Sequence, residues 1–280
     1  MNTDPSDLFL ELEGVICLYS WICHGGFMKN GRRITVIGAG YVGYPIAVLL
    51  SQENRVTVMD INETIVDKIN SGISPVKDEQ IDSFLSQKEL DLRATTDLDI
   101  ACREADYIIL ALPTDLNEES GRLDCSRIED TVREISRFSL TSIIVIKSTV
   151  SIGFTQSLKK DFPELKILFA PEFIRETKAL HDNLYPSRII IGCDSDTVEE
   201  AKTFAELLAS SASKKDIDIL YVSESEAESI KLFSNAYLAM RVSFFNEVDT
   251  FAENRWMNTD IPATHSRSFS SCGWRTGTSP

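Results

Sequence analysis

The chain has little of what several function classes require. Of its 280 residues only three are histidine and six are cysteine, and no two cysteines form a C-x-x-C pair. That sparsity argues against a zinc site, and no metal ligand is assigned. The cysteines, at 17, 23, 102, 125, 193 and 272, are scattered singly. Such scatter suits a reducing compartment, so a cytoplasmic location is expected. Positive charge is also scarce: 28 Lys and Arg stand against 43 Asp and Glu, a net charge of −15. An acidic surface disfavours nucleic acid and anionic membrane as partners. No apolar run is long enough to span a bilayer. The 43% hydrophobic content is nonetheless enough for the core of one large or two modest domains.

What is present is concentrated in residues 33–60. The β-branched run Arg33-Ile34-Thr35-Val36-Ile37 leads into Gly38-Ala39-Gly40-Tyr41-Val42-Gly43. A helical stretch to about Gln52 follows, then a second β-rich run, Arg55 to Met59, ending on Asp60. Strand, G-x-G-x-x-G, helix, strand and acid in this order meet the demands of a dinucleotide site. Gly38 permits a tight turn, Gly40 lets backbone approach a pyrophosphate, and Gly43 lets the helix pack close to the strand. The helix N-terminus offers free N–H groups to phosphate. Gly38, Gly40, Tyr41, Val42, Gly43 and Asp60 are therefore candidate cofactor-binding residues. A carboxylate at Asp60 can accept the adenine ribose hydroxyls and would repel a 2′-phosphate, so NAD is favoured over NADP. Fold alone does not name a reaction.

The pattern continues as alternating strands and helices. Helices are expected over 61–71, from an Asp97 cap to about Arg103, over 128–138 and over 197–210, and strands over 92–95, 107–112, 142–146, 166–170, 188–192 and 218–222. Continuous apolar runs such as Tyr107 to Leu112 suit strands buried on both faces. The fold class implied is α/β, a doubly wound Rossmann-type parallel sheet. Pro113 and Thr114 follow the strand over 107–112, in the crevice where such sheets bind ligands. Asp115 to Asp124 reads as a polar loop and a mobile flap. After Ser223 the texture changes: Ser225 to about Asn254 reads as one long helix without Gly or Pro. Phe233, Tyr237, Phe244 and Phe251 make it too apolar for a solvated surface helix, so another domain or a second subunit is expected to cover it, as in a homodimer.

These features divide the chain into a nucleotide-binding domain over 28–222 and a dimerisation helix over 223–254. Residues 1–27 are expected to be an extension outside the fold. Their apolar stretch follows acids rather than the Lys/Arg of a secretory signal. Residues 255–280, rich in Ser, Thr and Arg, are expected to be a disordered tail, the mark of a shifted frame or a truncated gene.

Three segments should converge on the C-terminal edge of the sheet: Lys147 to Gly153, Ala170 to Arg188, and Lys231 with Asn235. The last two lie one helical turn apart and share a face. A snorkelling lysine beside an incidental amide is the blander explanation of that pair.

The stretches Ile34–Gly43, Lys147–Thr155, Pro171–Gly192 and Ala227–Glu253 resemble the UDP-glucose/GDP-mannose dehydrogenase family. The resemblance covers roughly residues 30–253, and Pro171–Gly192 is its most specific block. It implies NAD-dependent oxidation of UDP-glucose to UDP-glucuronate by an enzyme of the UDP-glucose 6-dehydrogenase type, with a UDP-sugar as the substrate. By the same resemblance, Lys231 and Asn235 would stabilise an oxyanion and hold a water. Glu172 would be the acid–base residue, Thr149 would position the water and border the nicotinamide, and Glu176 would sit near the cofactor. For Glu172 a plain helix N-terminal acid, and for Thr149 a strand-end cap, are the simpler alternatives.

The pattern departs from the family at its nucleophile. The expected Gly-Gly-Tyr-Cys-Leu-Pro-Lys-Asp loop does not occur, and the flanks of Cys272 do not match it. The second nucleotide-binding half is also missing. The isolated chain is therefore expected to be inactive. The competing expectations are a non-catalytic NAD-binding fragment and a two-electron hydroxyacid or sugar-acid dehydrogenase.

Overall fold

A computed structural model describes residues 31–255 apart from 118, 120 and 140. The expectations for 1–27 and for the tail after 255 lie outside the described residues.

The strands are β1 (Arg33–Ile37), β2 (Arg55–Met59), β3 (Leu92–Thr95), β4 (Tyr107–Leu110), β5 (Leu116–Asn117), β6 (Arg122–Leu123), β7 (Ile143–Ile146), β8 (Lys166–Phe169), β9 (Arg188–Gly192) and β10 (Asp218–Val222). The helices are α1 (Gly43–Leu50), α2 (Glu63–Asn70), α3 (Glu79–Gln87), α4 (Leu98–Cys102), α5 (Ser126–Ile135), α6 (Phe154–Asp161), α7 (Ala179–Leu184), α8 (Val198–Ser211) and α9 (Glu224–Glu253). Eight strands form one sheet in the order β10-β9-β8-β7-β4-β1-β2-β3. The chain winds outward from β1 in both directions, so the sheet reverses its strand order between β1 and β4. That switch point is where ligands bind such sheets.

Strand residues alternate between two cores, as the pleat requires. Ile34 and Val36, Tyr107 and Ile109, Val145 and Leu168 pack on one face with α1 and α8. Ile37, Ile108, Leu110, Ile144, Ile146 and Phe169 pack on the other with α4, α5 and α6. Helix α1 is buried at every residue, which its uninterrupted apolar sequence permits.

Several features differ from the sequence expectation, among them helices α6 and α7, for which no element was expected. Helix α3, capped by the Asp78 carboxylate on Gln80 N–H at 3.0 Å, occupies a stretch where no element was expected. The segment 115–124 is not a plain loop. It folds into a two-stranded antiparallel hairpin, β5–β6, pairing Leu116 with Leu123. The sheet is not wholly parallel: β9 meets β8 antiparallel, at Phe169 and Gly192. The short connection through α7 turns the chain back there, and β10 then runs parallel to β9. Helix α9 is long and unbroken as expected; it is buried at its root and again at Ala252, while Phe233, Tyr237, Met240, Phe244 and Phe251 are exposed, with nothing among the described residues covering them.

The root of α9 is anchored by charge. Ser223 and Glu226 form a capping box at its start. Lys159 donates to Asp194 at 2.6 Å and to Glu224 at 2.5 Å. Glu228, wholly buried, accepts from Gly153 N–H at 2.6 Å and Thr155 N–H at 2.9 Å. The N-cap of α6 is Gly153, which has no side chain to cap with. Helix α9 thus supplies the missing cap from outside, where a carboxylate also meets the positive end of the α6 dipole. Glu228→Ala should cost about 3 kcal/mol, since it orphans two buried N–H groups. A melting midpoint lower by roughly 6–12 °C is the expected result. An unchanged midpoint would show that α9 is not held this way.

Candidate active site

The glycine turn is built by close contacts. Gly38 adopts a positive φ of 96°, and a Cβ there would come within 2.5 Å of the Ala111 carbonyl oxygen. A Cβ on Gly43 would lie 1.9 Å from the Gly38 carbonyl oxygen, so α1 can approach β1 only with hydrogen at this position. Gly40 differs, because a Cβ there meets nothing within 4 Å. The turn is closed on its inner side and open at its crest. Val42, at the N-cap of α1, supplies no side-chain hydrogen bond, while Tyr44 N–H donates to the Gly40 carbonyl at 3.0 Å and Pro45 has no N–H, so phosphate recognition here falls to the N–H groups of the turn itself and of Gly43. Tyr41 stands exposed on the crest.

Asp60 is tied to this turn. Its Oδ2 accepts from Ala39 N–H at 2.9 Å and its Oδ1 from Asn62 N–H at 3.0 Å. A carboxylate has about four acceptor sites. Each oxygen therefore keeps capacity for a ribose hydroxyl while the two backbone bonds fix its place. The open crest, the uncapped helix and the fixed acceptor fit an adenine dinucleotide.

The opposite wall of the crevice is laced together by hydroxyls. Thr114 Oγ1 donates to the Thr149 carbonyl at 2.7 Å, and Ser148 Oγ donates to the Leu112 carbonyl at 2.7 Å. The loop holding Pro113 and Thr114 is thus joined to the end of β7.

A charged cluster lies deeper. Lys231, buried on α9, donates from Nζ to Glu172 Oε1 at 2.5 Å and to the Glu172 carbonyl at 2.8 Å. Glu172 Oε2 accepts from Ile174 N–H at 2.9 Å. The Phe173 ring lies beneath the Arg188 guanidinium, 4.7 Å from its centroid. Arg175 grips Asp182 through Nε at 3.0 Å and Nη2 at 2.7 Å. Those hydrogen bonds hold Asp182 down to about 2 despite its partial burial, and they stiffen the loop that carries Glu172.

Two expected neighbours stand apart. Asn235 is exposed one turn beyond Lys231 and takes no part in the Lys231–Glu172 pair. Glu176 is exposed at the start of a 3-10 turn, Glu176–Lys178. Conversely, the sequence reading did not single out Lys147. It is 5% exposed and donates from Nζ to the Ala170 carbonyl at 3.1 Å. Burial pushes it down to about 8, Glu172 draws it back up, and Lys231 lowers it further. The signal was available: a lysine closing an otherwise apolar buried strand needs a reason.

Among the described residues Cys102, Cys125 and Cys193 are free and buried. Burial raises all three, Cys102 to about 12, so none is a ready nucleophile. No group of three or more His, Cys, Asp or Glu among the described residues is placed to hold a metal ion. No helix among them is long and apolar enough to cross a membrane.

The glycine turn yields a paired prediction. Gly43→Ala should destabilise the fold by about 2 kcal/mol, because α1 must move off β1. Gly40→Ala should leave the melting midpoint within ~2 °C yet weaken NAD binding at least roughly 30-fold, because its methyl occupies the phosphate approach. Equal effects of the two on stability would contradict this account.

Comparison with known proteins agrees with the geometry. The family model described as "UDP-glucose/GDP-mannose dehydrogenase family, NAD binding domain" matches residues 32–211, and that for the same family's central domain matches 225–265. The chain is 44% identical over 229 residues to a UDP-glucose 6-dehydrogenase of Streptococcus pneumoniae, covering 81% of this chain and 58% of that protein. The same figures hold for a UDP-glucose 6-dehydrogenase of Campylobacter jejuni. Among solved structures, a UDP-glucose dehydrogenase from Pyrobaculum islandicum superposes with a TM-score of 0.71 at 27% identity, covering 89% of this chain and 58% of that one. The chain thus spans 58% of the length of these relatives. The agreement of crevice and family model places the chain in the UDP-glucose/GDP-mannose dehydrogenase family, with its sheet as that family's NAD-binding domain.

Proposed function

We propose that this chain supplies the NAD-binding and acid–base half of an enzyme that oxidises UDP-glucose to UDP-glucuronate. The observation that carries this reading is the Lys231–Glu172 pair, 2.5 Å apart on the same sheet edge as an open glycine turn. Bound NAD would supply the hydride acceptor. Gly38, Gly40, Tyr41, Val42 and Gly43 would hold its pyrophosphate and Asp60 its adenine ribose. Pro113, Thr114 and Thr149 would border the nicotinamide, and Glu176 would stand near it.

The chain's own groups suit alcohol oxidation. A primary alcohol must lose a proton as its hydride leaves, and the oxygen carries negative charge meanwhile. Glu172 is the group to hold or pass that proton. The ammonium of Lys231 is the group to stabilise the oxygen. Asn235 would share that task and, with Thr149, fix a water. Because Asn235 is exposed here, its role needs a further surface over α9. A second copy of the chain packing on the exposed aromatic face of α9 would supply one and would bury the apolar patch. A homodimer is therefore part of the proposal, with 28–222 as the nucleotide domain and 223–254 as the dimerising helix, working in the cytoplasm.

The raised, buried thiols favour a second reading for the isolated chain: nucleotide binding without turnover. Carrying an aldehyde on to a carboxylate calls for a reactive thiol, which the described residues do not offer. The test is NADH formation from NAD and UDP-glucose, with binding read separately by protein fluorescence and association by sedimentation. Binding of NAD by a dimer, with no steady NADH production, is expected. Two NADH per sugar would overturn the second reading, one per sugar would point to a simple two-electron dehydrogenase, and a strictly monomeric chain would remove the dimer.

A further inference from the structure

We propose that Lys147 is a positioning residue of this site: it fixes the Glu172 segment through the Ala170 carbonyl and gives the Glu172–Lys231 pair a net positive charge. The inference rests on the reading of Glu172 and Lys231 as the groups that meet the substrate oxygen.

The placement is specific. Lys147 follows β7 directly and reaches sideways to the end of β8, where Nζ meets the Ala170 carbonyl at 3.1 Å. Only Pro171 separates that carbonyl from Glu172. The lysine therefore acts on the backbone that presents the carboxylate. It also lines a cavity of about 60 Å³ with Ala170, Glu172, Phe173, Asp182 and Arg188. A buried ammonium is expensive, and a single carbonyl is thin compensation. A methionine would fill similar space without that cost, so stability alone does not explain the charge.

Charge bookkeeping gives a reason. Glu172 and Lys231 neutralise each other. Asp182 is taken up by Arg175, and the Arg188 guanidinium lies over Phe173. Lys147 and Arg188 then both add positive charge that no carboxylate of this cluster offsets, in a chain whose net charge is −15, and of the two only Lys147 can lose its proton near neutral pH. A surplus cation under the pair favours negative charge developing on a substrate oxygen above it. The charge that Lys147 contributes exists only while it is protonated. Burial lowers it to about 8, with Glu172 raising and Lys231 lowering it, so that contribution is present at neutral pH and lost above about 8.

The test uses the full chain with ¹³C-labelled glutamate side chains and needs neither nucleotide nor turnover, so it stands whether or not the proposed oxidation does. The Glu172 carboxyl carbon, assigned by its loss in Glu172→Gln, is followed from pH 6.5 to pH 9.5, a window set about the value near 8 for Lys147. An inflection near pH 8 is expected in the wild type. It should vanish in Lys147→Arg, whose guanidinium keeps its charge throughout, and the resonance should stay close to its neutral-pH position. In Lys147→Met the inflection should also vanish, with the resonance displaced. A flat wild-type curve, or an inflection that survives in Lys147→Arg, overturns the proposal. The wild-type and arginine curves decide the matter even if the methionine variant fails to fold.

Discussion

The carboxylate of Asp60 and the N–H of Ala39, 2.9 Å apart, hold the architecture of the nucleotide edge together. One hydrogen bond joins the tip of β2 to the turn that leaves β1. It places a negative charge beside an open glycine crest, and it does so before any ligand arrives. Around it the backbone has almost no freedom. Gly38 must be left-handed, and Gly43 must lack a side chain for α1 to lie where it does. Acceptor and donors are thus set at a fixed separation. That is what a rigid dinucleotide end with ribose hydroxyls on one side and phosphates on the other requires.

Deeper in the crevice the governing term is charge in a dry place. Two lysines and a glutamate meet between β7, the loop after β8 and α9. Helix α9 is thereby bound to the sheet domain at three places by buried charged groups, at Lys231–Glu172, at Glu224–Lys159 and at Glu228 on the start of α6. Its root is as much part of the sheet domain as of the helix that projects beyond it. The same helix therefore both completes the crevice and offers an apolar face outward.

Much of this was legible in the residues. The apolar runs at 107–112 and 142–146 pointed to buried strands because short runs rich in Ile and Val, with no polar face, suit a sheet covered on both sides. Asp97 as a cap on Ile100 N–H, and the long helix from 224 to 253, followed from local chemistry. Other parts were not legible because tertiary context decides them. Helix α3 has few apolar residues and forms where Asp78 can cap it and also accept from Leu180 N–H at 3.2 Å, a partner 102 positions away. The reversal at β9 depends on how far α7 carries the chain, which no periodicity encodes. The β5–β6 hairpin rests on two residue pairs within a polar stretch. Helical spacing placed Lys231 and Asn235 on one face, but only packing determines that the first is buried against Glu172 while the second is exposed.

The central claim is that the anchored Asp60 carboxylate selects an adenine dinucleotide with a free ribose 2′-hydroxyl. Parallel calorimetric titrations of the full chain with NAD and NADP measure that choice directly. The account predicts NAD binding about 100-fold tighter, equivalent to about 3 kcal/mol, with the gap largely closed in Asp60→Ser. Comparable affinity for the two nucleotides in the unaltered chain would contradict it, and so would the absence of any heat with NAD.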